Sequence, residues 1–151
     1  MDYLLEISCK RIVKGKAKGP ALLLQEPINF LGMANTKTGE ITTTNDKQRI
    51  YQLKDKILVF PNSIGSSVGA YTIFALKCNF NSPKGMICTN KVDIITASGC
   101  AISNIPLALI DENNYNILFG IIGSNSVQRD EIEISLDTER EIIKVDLNKS
   151  L

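Results

Sequence analysis

The chain has 151 residues, 44% of them hydrophobic, with 17 basic and 16 acidic side chains and no histidine. That is one domain's worth of chain with apolar residues enough for a core, and a net charge of +1 argues against a dedicated nucleic-acid binder. The missing histidine excludes Ser-His-Asp and Cys-His nucleophile systems, His-ligated metals and the usual general base near neutral pH.

No apolar run approaches the ~18 residues of a membrane span. Met1-Asp2-Tyr3 does not open a secretory signal either, so the expectation is a cytoplasmic protein away from membranes. Charge is uneven: net +4 over residues 1–60, +2 over 61–110 and −5 over 111–151. This is either solvated surface or a cationic site for an anionic substrate. Cys9, Cys78, Cys88 and Cys100 show no CxxC spacing, so the chain announces no metal site of its own, and disulfides are not expected.

In chain order, Tyr3–Val13 has strand composition. Lys14–Pro20, with Gly15 and Gly19, reads as a lysine-rich connection, and Ala21–Leu24 as a buried strand. Ile28–Leu31 reads as a short extended piece, Asn35–Gly39 as a turn and Glu40–Thr44 as a β-branched strand. Lys56–Phe60 is the clearest buried strand, stopped by Pro61 and Asn62. From Ser67 the spacing turns helical, with Ala70, Ile73, Phe74 and Leu76 near one face and Ser66 or Ser67 as N-cap. Gly85–Thr89 reads as a strand, Val92–Ser103 as a short helix and Pro106–Ile110 as a strand closed by Asp111-Glu112-Asn113-Asn114. Ile117–Ile122 reads as another strand. Glu131–Leu136 and Glu141–Leu147 alternate strictly, which predicts a C-terminal hairpin over about 127–147. The expectation is a single β-rich α/β domain over 1–151.

One junction carries chemistry. Asn62-Ser63-Ile64-Gly65-Ser66-Ser67 lies where a strand gives way to a helix N-terminus. Unpaired N–H groups and a partial positive charge gather at such a place, and glycine lets a ligand approach the backbone. Three hydroxyls could bind a phosphate or carboxylate, or serve only as caps. Gly65, Ser67 and Gly69 fit G-x-S-x-G superficially, but a nucleophile elbow needs a histidine. The Gly-Lys-Ser/Thr ending of a P-loop is absent.

The series Gly19-Pro20-Ala21, Gln25-Glu26-Pro27-Ile28-Asn29-Phe30-Leu31-Gly32, Thr38-Gly39, Lys56–Pro61, Gly65-Ser66-Ser67-Val68-Gly69-Ala70-Tyr71 and Ala97–Pro106 resembles the swivel-domain subunit of the aconitase X family. The likeness covers about residues 4 to 110 and rests on the order of the motifs. It implies a swivelling β/β/α fold and a large aconitase-like partner subunit that holds a [4Fe-4S] cluster, with none bound by this chain. The implied reaction is dehydration of (R)-5-phosphomevalonate to trans-anhydromevalonate 5-phosphate. By the same resemblance Ser66 is the proton acceptor, with Gly65, Ser67, Ser63 and Glu26 as substrate-binding residues. For Glu26 a role in holding the strand end stands equally open. Ile64 occupies the position where the family motif usually has a basic residue. Dehydration of another hydroxy acid such as hydroxyproline, or a non-catalytic swivel module, are the alternatives.

Overall fold

The computed structural model describes residues 4–44, 48–123 and 132–146. Ten strands and four helices are present among them. In chain order they are β1 (Leu4–Ser8), β2 (Lys10–Val13), β3 (Lys16–Leu23), α1 (Phe30–Met33), β4 (Glu40–Thr42), β5 (Ile50–Gln52) and β6 (Ile57–Val59). Then follow α2 (Gly69–Cys78), β7 (Gly85–Thr89), α3 (Ile94–Ser103), β8 (Leu107–Ile110), α4 (Glu112–Ile122), β9 (Glu133–Asp137) and β10 (Ile142–Asp146).

Eight strands form one sheet in the order β1-β10-β9-β3-β6-β7-β8-β2, and β4 and β5 form a separate hairpin. Strand β3 belongs to both halves of the sheet. Lys16–Pro20 pair antiparallel with β9, and Ala21–Leu23 pair parallel with β6. The outermost strands, β1 and β2, are consecutive in the chain and separated by Cys9 alone. The sheet therefore curls until its two ends meet. The Cys9 and Arg11 N–H groups fasten that seam by donating to the Glu141 carbonyl (3.1 Å) and its Oε2 (2.9 Å).

Strand alternation sorts the core into two layers. Leu22, Leu58, Phe60, Met86, Cys88 and Leu107 face α1, α2 and α3. Ala21, Leu23, Ile57, Val59, Ile87 and Ala108 face the interior of the curl, where Ile134, Leu136, Ile143, Val145 and Leu118 meet them. The central parallel strands are covered on both faces, which is why they read as continuous apolar runs. The β/β/α layering agrees with the expected β-rich α/β class.

Several expectations need correction. Tyr3 lies outside the described residues, and the expected first strand breaks at Cys9 into two strands at opposite ends of the sheet. Lys14–Pro20 is not a connection: Lys16–Leu23 is one strand, with Lys16 and Lys18 on its exposed face. Gly19 is there because a Cβ would come within 2.5 Å of the Asp55 carbonyl oxygen, not because the chain turns. Only the first half of Ile28–Leu31 is extended: Ile28 bridges Ser63 and Asn29 keeps extended backbone, but Phe30 and Leu31 are helical. Asn29 Oδ1 accepts from Gly32 N (3.2 Å) and starts the short helix α1.

Ile117–Ile122 is helical, not a strand. Asp111, expected to close a strand in a turn, is the N-cap of α4, with Oδ1 accepting from Asn114 N at 2.7 Å. A short apolar run alone cannot tell strand from helix, and the cap decides it here. Strand β5 is an addition to the elements expected. Helix α2 begins at Gly69, and its buried face is Ala70, Thr72, Ile73 and Leu76, while Phe74 is exposed. Strands β9 and β10 pair antiparallel, with Asp137 opposite Ile142. The remainder of the span 127–147, including Glu131 and Leu147, falls partly outside the described residues.

Candidate functional site

Strands β3, β6, β7 and β8 run parallel, and their C-terminal ends form one edge. Ligands bind at such edges in open α/β sheets. Here the edge carries Gln25–Asn29 after β3, Phe60–Val68 after β6 and Asn90–Asp93 after β7.

The loop after β6 is held from both sides. Toward β3, Ile28 bridges Ser63, Ile28 N donates to the Asn62 carbonyl (3.0 Å) and Ile64 N donates to the Ile28 carbonyl (2.9 Å). Toward β7, Ser63 N donates to Asp93 Oδ2 (2.9 Å), and the Ser63 hydroxyl donates to Asp93 Oδ1. Thr96 completes the cluster. Its N–H donates to Asp93 Oδ1 (2.8 Å), and its hydroxyl lies 2.9 Å from Asp93 Oδ2 and 3.0 Å from Ser63 Oγ. Asp93 is also the N-cap of α3, so one carboxylate ties that helix to the serine loop. Burial works to raise the Asp93 pKa, but the hydrogen bonds from Ser63 and Thr96 win and hold it below the usual carboxylate range.

Gly65 is the pivot of the loop. Its φ of +93° is backbone that glycine adopts freely and other residues do not. A Cβ there would stand 2.8 Å from Cγ and Oδ1 of Asn29. Beyond it the chain makes a tight turn: Gly69 N donates to the Ser66 carbonyl (2.9 Å) and Ala70 N to the Ser67 carbonyl (3.2 Å). Neither serine is the N-cap of α2. Val68 holds that position with helical backbone and no side-chain cap. Ser66 Oγ instead accepts from Val68 N at 3.1 Å, a local serine turn in front of the helix. Ser66 and Ser67 are exposed, and no ionisable side chain occurs from Pro61 to Ala70.

The structure thus brings Ser66, Ser67 and Gly65 to one exposed turn. It does not bring Ser63 or Glu26 to it as free ligands. Ser63, expected to bind substrate, is 5% exposed and turned inward because Asp93 claims both its N–H and its hydroxyl. Glu26 sits at the end of β3 with both oxygens engaged by Thr44: Oε1 accepts from its N–H (2.8 Å), and Oε2 from its hydroxyl (2.9 Å). That is the geometry of a residue holding a strand end. Sequence reasoning missed Asn29, Asp93 and Thr96. The signal for Asp93 was present: an Asp directly ahead of an apolar run is an N-cap pattern.

The cysteines do not fit an iron–sulfur cluster. Cys100 Sγ packs 3.5 Å from Met86 Sδ, and Cys88 Sγ reaches the Ala108 carbonyl at 3.8 Å, both inside the core. Burial pushes the Cys88 thiol up to about 12, and burial followed by Glu141 and Asp137 pushes Cys9 up to about 11. Among the described residues no three of His, Cys, Asp or Glu converge on a common point. No helix among them is long and apolar enough to cross a membrane.

A family model described as the aconitase X swivel domain matches residues 6–144. The chain is 39% identical over 103 residues to the phosphomevalonate dehydratase small subunit of Thermococcus kodakarensis, covering 68% of this chain and 77% of that one. The subunit of that name from Methanothermobacter thermautotrophicus is 31% identical over 135 residues, covering 89% and 95%. Among solved structures, the crystal structure of Thermococcus kodakaraensis aconitase X in its holo-form superposes with a TM-score of 0.73 at 30% identity. It covers 93% of this chain and 98% of the matched one.

Proposed function

The chain belongs to the aconitase X swivel-domain family, and from that premise we propose that it is the small subunit of a phosphomevalonate dehydratase, a hydro-lyase complete only with its larger subunit. The relatives cited carry that name, so hydroxyproline or another hydroxy acid as substrate, and a non-catalytic module, are not favoured. We place the cluster expected for such an enzyme in the larger subunit, since Cys88 and Cys100 of this chain are packed inside the core.

The observation that carries the reading is the exposed Ser66 turn. A serine hydroxyl is far too weak a base unassisted. Here it stands just ahead of a helix N-terminus, whose field favours negative charge on its oxygen. Ser66 takes the proton from the carbon next to the substrate carboxylate as the double bond forms and the hydroxyl leaves. Ser67 and the Gly65 backbone approach the substrate from the same turn. Ser63 and Glu26 act as positioning residues through Asp93 and Thr44. The surroundings support a covering partner: Leu31, Ile64, Val68 and Tyr71 are 50%, 51%, 47% and 68% exposed beside the serines. Grouped apolar surface of this kind marks an interface. A soluble cytoplasmic complex accommodates all of this.

The test is a reconstituted two-subunit enzyme carrying Ser66→Ala. Turnover falls by at least about 100-fold, the lower range for losing a general base, and solvent deuterium no longer enters the substrate at that carbon. Full turnover with retained exchange sinks the base assignment, and dehydration by this chain alone sinks the two-subunit reading.

A further inference from the structure

The serine turn meets a substrate with two anionic groups, a carboxylate and a phosphate, and has no charge of its own, since Pro61 to Ala70 contains no ionisable side chain. A cation at the same edge has to come from a neighbouring loop or from the partner. Among the described residues, three cations come into consideration. Lys10 begins β2, beyond β8 and so three strands from β6. Arg49 lies at the start of the β5 side of the hairpin, its backbone bonded to Thr43. Lys91 follows β7, the strand directly beside β6.

The register puts Lys91 close to the serine loop. Val59 lies opposite Ile87, and the pairing continues past the strand ends, where Thr89 N donates to the Pro61 carbonyl (3.2 Å). Adjacent strands are about 4.8 Å apart. The last bond between the two paths, from Thr89 to Pro61, lies two residues before Lys91 on one side and two before Ser63 on the other. The crosslink between Ser63 and Asp93 then keeps the loops together. At Asn90 the backbone turns left-handed, with φ +69°, so the chain leaves the sheet direction just before Lys91. Asn is among the few residues that tolerate this conformation.

Lys91 is exposed and makes no hydrogen bond or ion pair with another described residue. Asp93, the acid in its own loop, makes no ion pair with it and turns both oxygens to Ser63 and Thr96. Asp111, after β8, is likewise occupied, with Oδ1 capping α4.

We propose that Lys91 binds the substrate phosphate, a specificity contact supplied by the loop after β7 while the loop after β6 supplies the base. The phosphate lies at the far end of the carbon chain from the proton that is lost. A cation one strand away from Ser66, rather than within its turn, suits that separation. The inference rests on the dehydratase reading and deepens it.

The experiment uses the reconstituted complex with phosphomevalonate, and inorganic phosphate as competing anion. In Lys91→Gln, KM rises about 10- to 100-fold, the loss expected for a hydrogen bond to a charged group, while kcat changes less than about twofold. The inhibition constant of inorganic phosphate rises in parallel, Lys91→Arg restores most of the affinity, and Arg49→Gln leaves KM unchanged. Unchanged KM and phosphate inhibition in Lys91→Gln overturn the proposal, as does a KM effect that follows Arg49 instead. A wild-type complex that does not dehydrate phosphomevalonate refutes the substrate reading itself, and this inference with it.

Discussion

Gly65→Ala is the sharpest probe of how the serine turn is built. Two costs add. Alanine at φ +93° carries left-handed strain of about 1–2 kcal/mol. Its Cβ would also stand 2.8 Å from Asn29 Cγ and Oδ1, so Asn29 must move. Moving it releases Gly32 N from its cap, worth about 1 kcal/mol. The expected loss is about 2–3 kcal/mol, read as a shift of the urea midpoint for the isolated chain at unchanged slope. Asn29→Ala separates the two parts. In that background the clash is gone, so the penalty of Gly65→Ala falls to about 1–2 kcal/mol, and the cycle yields a coupling of about 1 kcal/mol. Turnover of the assembled enzyme falls as well, since Ser66 is carried on the displaced backbone. Gly65→Ala within about 0.5 kcal/mol of wild type, or penalties that simply add, would refute the idea that Gly65 and Asn29 share this space.

Two further outcomes follow from described geometry. Asp93→Asn keeps a capping oxygen but turns an amide toward the donors of Ser63 or Thr96, leaving at least one unpaired at a cost of about 1–3 kcal/mol. Because hydrogen bonding lowers the Asp93 pKa, its contribution is complete above the ordinary carboxylate pKa of about 4 and disappears as pH falls through the lowered value. Urea stabilities of wild type and Asp93→Asn therefore converge in strong acid, and a gap that persists there contradicts the assignment. Phe80, just past the C-cap of α2, has φ +60° and is 83% exposed, so Phe80→Gly relieves strain, loses little packing and raises stability by about 0.5 kcal/mol in the same assay. A fall would mean that the ring is packed in solution.

The parallel strands were legible because burial on both faces leaves Lys56–Phe60 and Gly85–Thr89 nearly all apolar. The serine turn was legible because Gly65 and two serines follow such a strand directly. What the sequence hid depends on partners far along the chain. Lys16–Gly19 looks like a loop until β9 is laid beside it, and the space needed at Gly19 is set by Asp55. The stretch from Ile117 is apolar enough for a strand, and only Asp111 marks it as helix. Ser63 looked like one of three equivalent hydroxyls. Its separation from Ser66 and Ser67 is decided by Asp93, which is 30 residues away in sequence.

The meeting of β1 and β2 at Cys9 also bears on how the molecule is made. Leu4 pairs with Asp146 and Ser8 with Ile142, so the earliest of the described strands is completed by the latest. At synthesis rates of roughly 5–20 residues per second, Ile7 waits many seconds for Ile143, and its apolar side chain stays uncovered meanwhile. Parallel pairs such as β6 with β7 and β7 with β8 close much sooner, because their partners are nearby in the chain. Birth order therefore divides the sheet: the half that carries the serine turn can assemble early, and the seam closes only once translation has passed Asp146.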